Sequence, residues 1–405
     1  MVNQEFVKKL VTKNENKIVL LVMDGVGGLP NEFGNTEMEV AYTPNLDNIV
    51  KEGISGIADP VSMGITPGSG PGHLGIFGYD PVKWQIGRGV LAALGIGFPI
   101  QKKDVAARGN FATLDEKGNI TDRRAGRIPT ETCKKLTEKI QNEITEIDGV
   151  KIFIKPVMDY RFVLILRGEG LSDKIADTDP QITGVKPLPA KPLDDSAKKT
   201  ADILNKFIEK AHKIIENEHP ANGLLLRGFS EYPDIPPMEE VYGLNPAAIA
   251  TYPMYKGLAK LVGMEILNVP GMEITDELKV LKENYEKYDF FYFHVKKTDS
   301  YGEDGNFNAK VHLIEEVDKI IVPEILKLNP TVFAITGDHS TPAKMKQHSF
   351  HGVPFVLLSP YARPDRAEYF SEREIGTKGG LGRFEAKNEI ILMLAHALKL
   401  KKFGA

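Results

Sequence analysis

Four short apolar runs, each closed by a polar residue, restrict this chain to few architectures. They read KIVLLVMDG (17–25), YDFFYFHVKKTD (288–299), TVFAITGDHS (331–340) and GVPFVLLSP (352–360). A strand with one wet face alternates apolar and polar residues, whereas a strand covered on both faces does not. Their length is that of strands, and each is bounded by turn residues, so they read as buried strands of parallel type. Between the later runs lies AKVHLIEEVDKIIVPEILKL, whose apolar residues recur at three- and four-residue spacing, the signature of a helix covering a sheet. Strand and helix in alternation predict an α/β fold, a doubly wound and mostly parallel sheet. Sheets of that kind gather their chemistry beyond the carboxyl ends of the strands, where at least three of these runs carry polar residues.

The middle of the chain differs in texture. Residues 101–234 hold short strands (FVLILRG, GLLLRG), a basic turn (TDRRAGRIP) and a proline-rich loop (KPLPAKPLDD). The helical stretches ETCKKLTEKIQNEI and DSAKKTADILNKFIEKAHKIIEN flank them. A smaller α+β domain is expected there, inserted into a core domain made of residues 1–100 and 235–405. A chain of 405 residues is long enough for both. A formal net charge of -4 gives no bulk attraction to nucleic acid or to an anionic membrane. The longest apolar runs are too short to span a bilayer. MVNQEFVKKLVTKNENK lacks the continuous apolar stretch of a signal peptide. One cysteine, Cys133, cannot form an internal disulfide, which favours a reducing, cytoplasmic compartment. The expected partner is a small molecule, with a homo-oligomer left open.

Residues with chemistry to offer cluster at strand ends. Asp24 closes the first run, where an Asp-Gly pair is also ordinary turn chemistry. Asp338 and His339 follow another run, and a carboxylate beside an imidazole can put two ligands on one divalent ion. His348 adds an imidazole before GVPF, and His351 competes with it or serves as a loop hydrogen-bonder. Asp299 and Glu303 stand four apart in DSYGE. On one helix face they would repel unless a cation lay between them, and in a loop they are two solvated acids. The segment GITPGSGPGHLGIFGYDP (64–81) permits tight turns and close approach to a ligand, with Ser69 at its centre and His73 at the expected opening of a helix. A helix opening favours an anion such as phosphate. Ser69 is a poor nucleophile unless activated, as a metal ion would do. No Walker A lysine accompanies it, and His73 is expected to hold the loop rather than bind metal. Carboxylates, imidazoles and one loop serine form the inventory of a two-metal phosphoryl-transfer site.

With those residues assigned, VLLVMDGVGG, PGSGPGHLGIFGYDP, RGNFAT, RRAGRIP, HVKKTD and TGDHSTP can be matched to a family. Together and in this order they closely resemble the archaeal-type cofactor-independent phosphoglycerate mutases of the alkaline phosphatase superfamily. The likeness covers nearly the whole chain, including the inserted domain, and implies a core of alkaline-phosphatase-like type. It implies interconversion of 3-phosphoglycerate and 2-phosphoglycerate, in glycolysis and gluconeogenesis, without 2,3-bisphosphoglycerate. It implies that Ser69 is transiently phosphorylated at a site for two divalent ions, Mn²⁺ foremost, with Mg²⁺, Zn²⁺ or Co²⁺ as alternatives. One ion would be held by Asp24, Ser69, Asp338 and His339, the other by Asp299, residue 303 and His348. Many relatives read DxxGH where this chain reads Asp299-Ser-Tyr-Gly-Glu303, so an anionic oxygen replaces an imidazole there. That replacement suits a harder ion or leaves the second site weak.

The substrate carries a phosphate and a carboxylate, and guanidinium forks pair with both. Family positions imply substrate contact for Arg108, Arg124, Arg127 and Arg227, but not for Arg123 or Arg167. Lys256 and Lys296 are expected near the phosphate, and Asn110 at the glycerate end. Closure of the two domains is expected to keep water from the phosphoserine. The rival readings are another phosphomutase, phosphatase or phosphodiesterase of the same superfamily, and a binding protein that has lost turnover.

Overall fold

The computed structural model describes residues 4–404. Its strands, in chain order, are β1 (Ile18–Met23), β2 (Ile54–Asp59), β3 (Val105–Leu114), β4 (Ile120–Asp122), β5 (Glu146–Ile147), β6 (Val150–Met158) and β7 (Arg161–Arg167). They continue with β8 (Gly223–Glu231), β9 (Pro246–Ile249), β10 (Glu265–Ile266), β11 (Phe290–Val295), β12 (Val332–Thr336), β13 (Val353–Leu358) and β14 (Gly382–Glu385). The chain divides into two compact units: Met1–Gln85 with Ile235–Ala405, and Ile86–Asp234.

The first unit is built on a sheet ordered β10-β9-β11-β1-β12-β13-β2-β14. All six side chains of β1 are fully buried, because β11 and β12 flank it in parallel and helices cover both faces. Each large apolar side chain taken from water this way contributes about 1.5–3 kcal/mol. All four apolar runs became strands, and the sheet is mostly parallel. GVPFVLLSP departs from the expectation of a parallel strand: β13 pairs antiparallel with both β12 and β2. A strand buried on both faces looks the same in sequence whichever way it runs, so the run carried no sign of its direction. The reversal brings the amino end of β13, and residues 348–352 before it, to the edge where β1, β11 and β12 end. β2 ends at that edge too and leads to the loop before Ser69, since Ala58 lies opposite Val353.

The second unit is an antiparallel sheet ordered β4-β3-β7-β6-β5, with β8 on the other side of β3. The helices Thr130–Glu143 and Lys198–Ile215 cover one face. Their apolar stripes, including Leu136, Ile140, Leu204 and Phe207, close a core with Phe111, Phe162 and Leu164. This compact unit begins at Ile86, not at residue 101. The helix Arg88–Gly95 packs on β3 and β8, and the backbone N–H of Val90 donates to Ser230 Oγ at 3.2 Å. No helix among the described residues is long and apolar enough to cross a membrane.

Candidate active site

The carboxyl edge of the first unit's sheet collects acids and imidazoles from four segments. Asp24 leaves β1 with its N–H donating to Val295 O of β11 at 3.0 Å. Gly25 turns the chain with φ +62, where a Cβ would also stand 2.6 Å from Thr341 Oγ1. Asp338 and His339 leave β12, and Gly25 N donates to Asp338 Oδ1 at 3.1 Å. Asp24, Asp338 and His339 are fully buried, with ligand atoms all within 4.8 Å of one another. Asp299, His339 and His348 form a second group by the same measure. His339 belongs to both.

The imidazoles are oriented as ligands would be. His339 Nε2 lies 3.1 Å from Asp338 Oδ2, 3.3 Å from Asp24 Oδ1 and 3.4 Å from Ser69 Oγ. His348 Nδ1 lies 2.9 Å from Pro67 O, an acceptor, so Nδ1 carries the proton and the bare Nε2 faces Asp299 Oδ1 at 3.6 Å. The two rings stack with centroids 3.6 Å apart.

Charge in the pocket is unbalanced. Burial disfavours the Asp24 charge, but Lys296, His294 and His339 hold its carboxyl well below the ordinary range. Asp338 is likewise held low, since His339 and His73 outweigh burial and the Asp24 charge. Burial opposes a charge on His339, yet the Asp338 and Asp24 carboxylates push it up to about 10. Lys296 Nζ bridges Asp299 Oδ2 at 2.5 Å and Asp24 Oδ2 at 3.2 Å. Burial acts against its ammonium, and the two carboxylates hold it above its ordinary range. Both oxygens of Asp24, and Asp338 Oδ2, are buried without a hydrogen-bond partner and are met only at ion-pair distance by Lys296, His294, His339 and His73. Buried anionic oxygens left short of donors favour a further cation among them. The donor set therefore fits divalent metal.

Ser69 opens the helix Ser69–Ile76, four residues earlier than the opening expected at His73. Pro71 causes no break there, because a first-turn N–H has no helical partner to lose. Gly72 carries this helix against the β12 loop: a Cβ at that position would lie 2.2 Å from Asp338 O. His73 Nδ1 lies 2.9 Å from Ser69 O and 3.1 Å from Asp338 Oδ2. It sits as a brace between the helix and the acid.

The second unit carries its own polar face. Arg108 of β3 lies opposite Arg227 of β8, and Asn110 lies opposite Arg161 of β7. Residues two apart on a strand, and residues directly opposite, share a face, so these four side chains do. Asn110 Oδ1, Arg227 Nε and Arg161 Nε are buried with no hydrogen-bond partner. Arg123 is engaged by Asp179 through two hydrogen bonds of 2.9 and 2.6 Å, and Arg167 by Asp104 through two of 2.8 and 2.6 Å.

Comparison with known proteins meets this geometry. The model of the 2,3-bisphosphoglycerate-independent phosphoglycerate mutase family matches residues 50–222. A probable enzyme of that name from Aquifex aeolicus is 52% identical over 99% of this chain and 100% of its own length. The chain belongs to that family. A second relative of the same description, from Thermus thermophilus, is 53% identical over 98% of each chain. Among solved structures, the cofactor-independent phosphoglycerate mutase of Thermoplasma acidophilum aligns with a TM-score of 0.73 at 30% identity, covering 94% of this chain and all of that one. The PH0037 protein of Pyrococcus horikoshii aligns at 0.83 and 30% identity, over 97% and 100%. The chain is accordingly an isomerase of the phosphoglycerate mutase class.

Within this family member, the structure gathers Asp24, Ser69, Asp299, Asp338, His339, His348 and Lys296 at one edge. Glu303 is not gathered. It lies four residues after Asp299 on the helix Lys297–Asp304, but its side chain is exposed and stands outside both groups. His351 is also outside them, with Nδ1 3.0 Å from Ser349 Oγ. Lys256 is half-buried in the first turn of the helix Pro253–Leu261. Arg124 and Arg127 are exposed around the tight turn Ala125–Arg127.

Sequence reasoning missed five residues here. His294 lies fully buried with Nε2 3.4 Å from Asp24 Oδ2, and Tyr255 lies against it with ring centroids 4.0 Å apart. Burial, then the charges of Asp24 and Asp338, push the Tyr255 phenol well up, so it stays a neutral hydroxyl. Lys310, Thr341 and Arg161 are the others. His294 and Thr341 were visible inside HVKKTD and TGDHSTP, but the middle of a strand and an ordinary loop threonine carry no chemical signature of their own.

Proposed function

We propose that this enzyme interconverts 3-phosphoglycerate and 2-phosphoglycerate through a phosphoserine on Ser69 at a two-metal site. One observation carries the reading: buried, unpartnered oxygens of Asp24 and Asp338 converge with His339 Nε2 beside Ser69 Oγ. Asp24, Ser69, Asp338 and His339 would hold one ion. Asp299 and His348 would hold the other, with the exposed Glu303 outside the group. Divalent ions, Mn²⁺ foremost, would supply positive charge to the serine hydroxyl and to the equatorial phosphate oxygens.

The chain's own residues then do the following. Ser69 gives up its hydroxyl proton as Oγ attacks phosphorus in line, forming the Oγ–P bond as the bond from phosphorus to the glycerate oxygen breaks. That oxygen takes up a proton in exchange, leaving bound glycerate. The neighbouring hydroxyl of glycerate next gives up its proton and attacks the same phosphorus, and Ser69 Oγ leaves and regains a proton. Lys296, already at the edge, and Lys256 neutralise phosphate charge. Arg108, Arg124, Arg127 and Arg227 pair with the anionic groups of the substrate, and Asn110 donates to the glycerate end. The phosphoryl group thus moves from one hydroxyl oxygen of glycerate to the neighbouring one with no external bisphosphate donor.

Ser69→Ala removes the nucleophile together with one ligand of the first ion. It is expected to abolish mutase activity in a coupled assay while leaving circular dichroism and melting unchanged; substantial turnover in this variant would sink the reading. Chelation should inactivate the wild type and Mn²⁺ restore it, and full activity in metal-stripped protein would exclude the metal site.

A further inference from the structure

The two candidate metal groups meet at a residue that belongs to neither. Thr341 Oγ1 lies 2.7 Å from Asp299 Oδ1 and 2.9 Å from His339 Nδ1. Asp299 stands in the second group, and His339 also completes the first with Asp24 and Asp338. A hydroxyl has one proton and can also accept. An ionised carboxylate only accepts, so the proton goes to Asp299. Toward His339 the hydroxyl then offers a lone pair, and Nδ1 must bring its own hydrogen. That assignment puts Nδ1–H behind the ring, so that the imidazole, once Nε2 gives up its proton to a metal ion, would present its Nε2 lone pair toward Asp24, Asp338 and Ser69.

Thr341 is itself held in place. Its N–H is shared between Gly25 O and Gly27 O, each at 3.1 Å, on the loop that follows Asp24. Its carbonyl accepts from Lys310 Nζ at 2.9 Å, and the same ammonium bonds Gly25 O at 2.8 Å and Gly27 O at 3.0 Å. Lys310 is fully buried, so this cage excludes water. The backbone of Thr341 is fastened to the Asp24 loop, and its side chain reaches across to Asp299 and His339. One residue, through its backbone and its hydroxyl, links segments that follow β1, β11 and β12.

We propose that Thr341 is a positioning residue that couples the two metal half-sites, orienting a ligand of each through a single hydroxyl. This rests on the two-metal reading above. Partners that orient ligands from behind are typically worth about 10–100-fold in metal affinity. Because one hydroxyl serves both groups, its removal should weaken both binding steps, whereas loss of an ordinary ligand weakens chiefly one. Thr341→Val keeps the shape and the backbone anchors but has no hydroxyl; Thr341→Ser keeps the hydroxyl.

The test is a calorimetric Mn²⁺ titration of the full chain after metal stripping, for the wild type and both variants. Alongside it, the Zn²⁺-loaded wild type is examined by ¹⁵N-resolved NMR for a slowly exchanging His339 Nδ1–H. The wild type should bind two ions and show that proton. Thr341→Val should lose about 10–100-fold in both steps, and Thr341→Ser should match the wild type. Fewer than two ions in the wild type overturns the metal reading and this inference with it. Two ions in the wild type and equal affinities in Thr341→Val overturn this inference alone. So does the absence of the Nδ1 proton in the Zn²⁺-loaded wild type, a result that requires no variant to fold.

Discussion

A carboxyl group taken out of water keeps its charge only where a positive group faces it. In the first unit that rule separates acids that look alike in sequence. Asp24 and Asp338 stay ionised because Lys296, His339 and His73 surround them. Glu277, on the helix Ile274–Asn284, is only 3% exposed, and burial with Asp276 beside it pushes its carboxyl up to about 8. Its proton therefore binds more tightly in the folded chain than in the unfolded one, whose ordinary value is 4.5. Below 4.5 both states are protonated and the contribution to stability is fully present. Between 4.5 and about 8 only the unfolded state gives up the proton, so that contribution falls as pH rises and is lost above about 8. Glu277→Gln removes the titration. Urea unfolding should find the variant gaining a few kcal/mol on the wild type between about pH 5 and about pH 8. An equal gap at both pH values would mean that Glu277 titrates as an ordinary glutamate. At this scale the sequence revealed which residues could carry charge. It did not reveal which would face a partner, and Glu303, exposed four residues from a buried Asp299, is the clearest instance.

Strands and helices were the more legible level. The unbroken runs at 18–23, 290–295, 332–336 and 353–358 predict buried strands because a two-sided burial leaves no room for polar alternation. Their polar terminators then mark the edge where the site lies. The direction of β13 was not legible, nor was the start of the helix at Ser69, since glycine and proline in SGPGH mask a first turn that tolerates both. Gly72 shows why that helix has its composition. A Cβ there would stand 2.2 Å from a backbone oxygen of Asp338, which cannot swing aside as a side-chain tip can. Gly72→Ala should push the Ser69 helix away from the acids by about an ångström and lower kcat about a hundredfold, with little change in fold. Gly68→Ala is the matched control, because its Cβ would meet only Pro71 Cδ at 3.8 Å. Equal activity in the two variants would show that the helix position is not critical.

Over the whole molecule, the two units differ in what their sheets expose. The mixed sheet of the first ends in acids, imidazoles and a serine; the antiparallel sheet of the second carries Arg108, Asn110, Arg161 and Arg227 on one face. The second unit starts at Ile86 rather than at residue 101, and the helix Arg88–Gly95, apolar enough to read as part of either core, lies in the difference. Family membership came through on motifs spread along the chain rather than on any one of them. What distinguishes the proposed reaction from simple hydrolysis or direct transfer is a covalent phosphoserine that hands its phosphate back to glycerate. The most direct measurement is acid quench of the Mn²⁺-loaded enzyme within its first turnovers on 3-phosphoglycerate, followed by mass spectrometry of the peptide containing residue 69. The account predicts one phosphoryl group on Ser69, absent without substrate and absent in Ser69→Ala. Turnover of 3-phosphoglycerate with Ser69 unmodified throughout, or with the phosphoryl group on another residue, would contradict it.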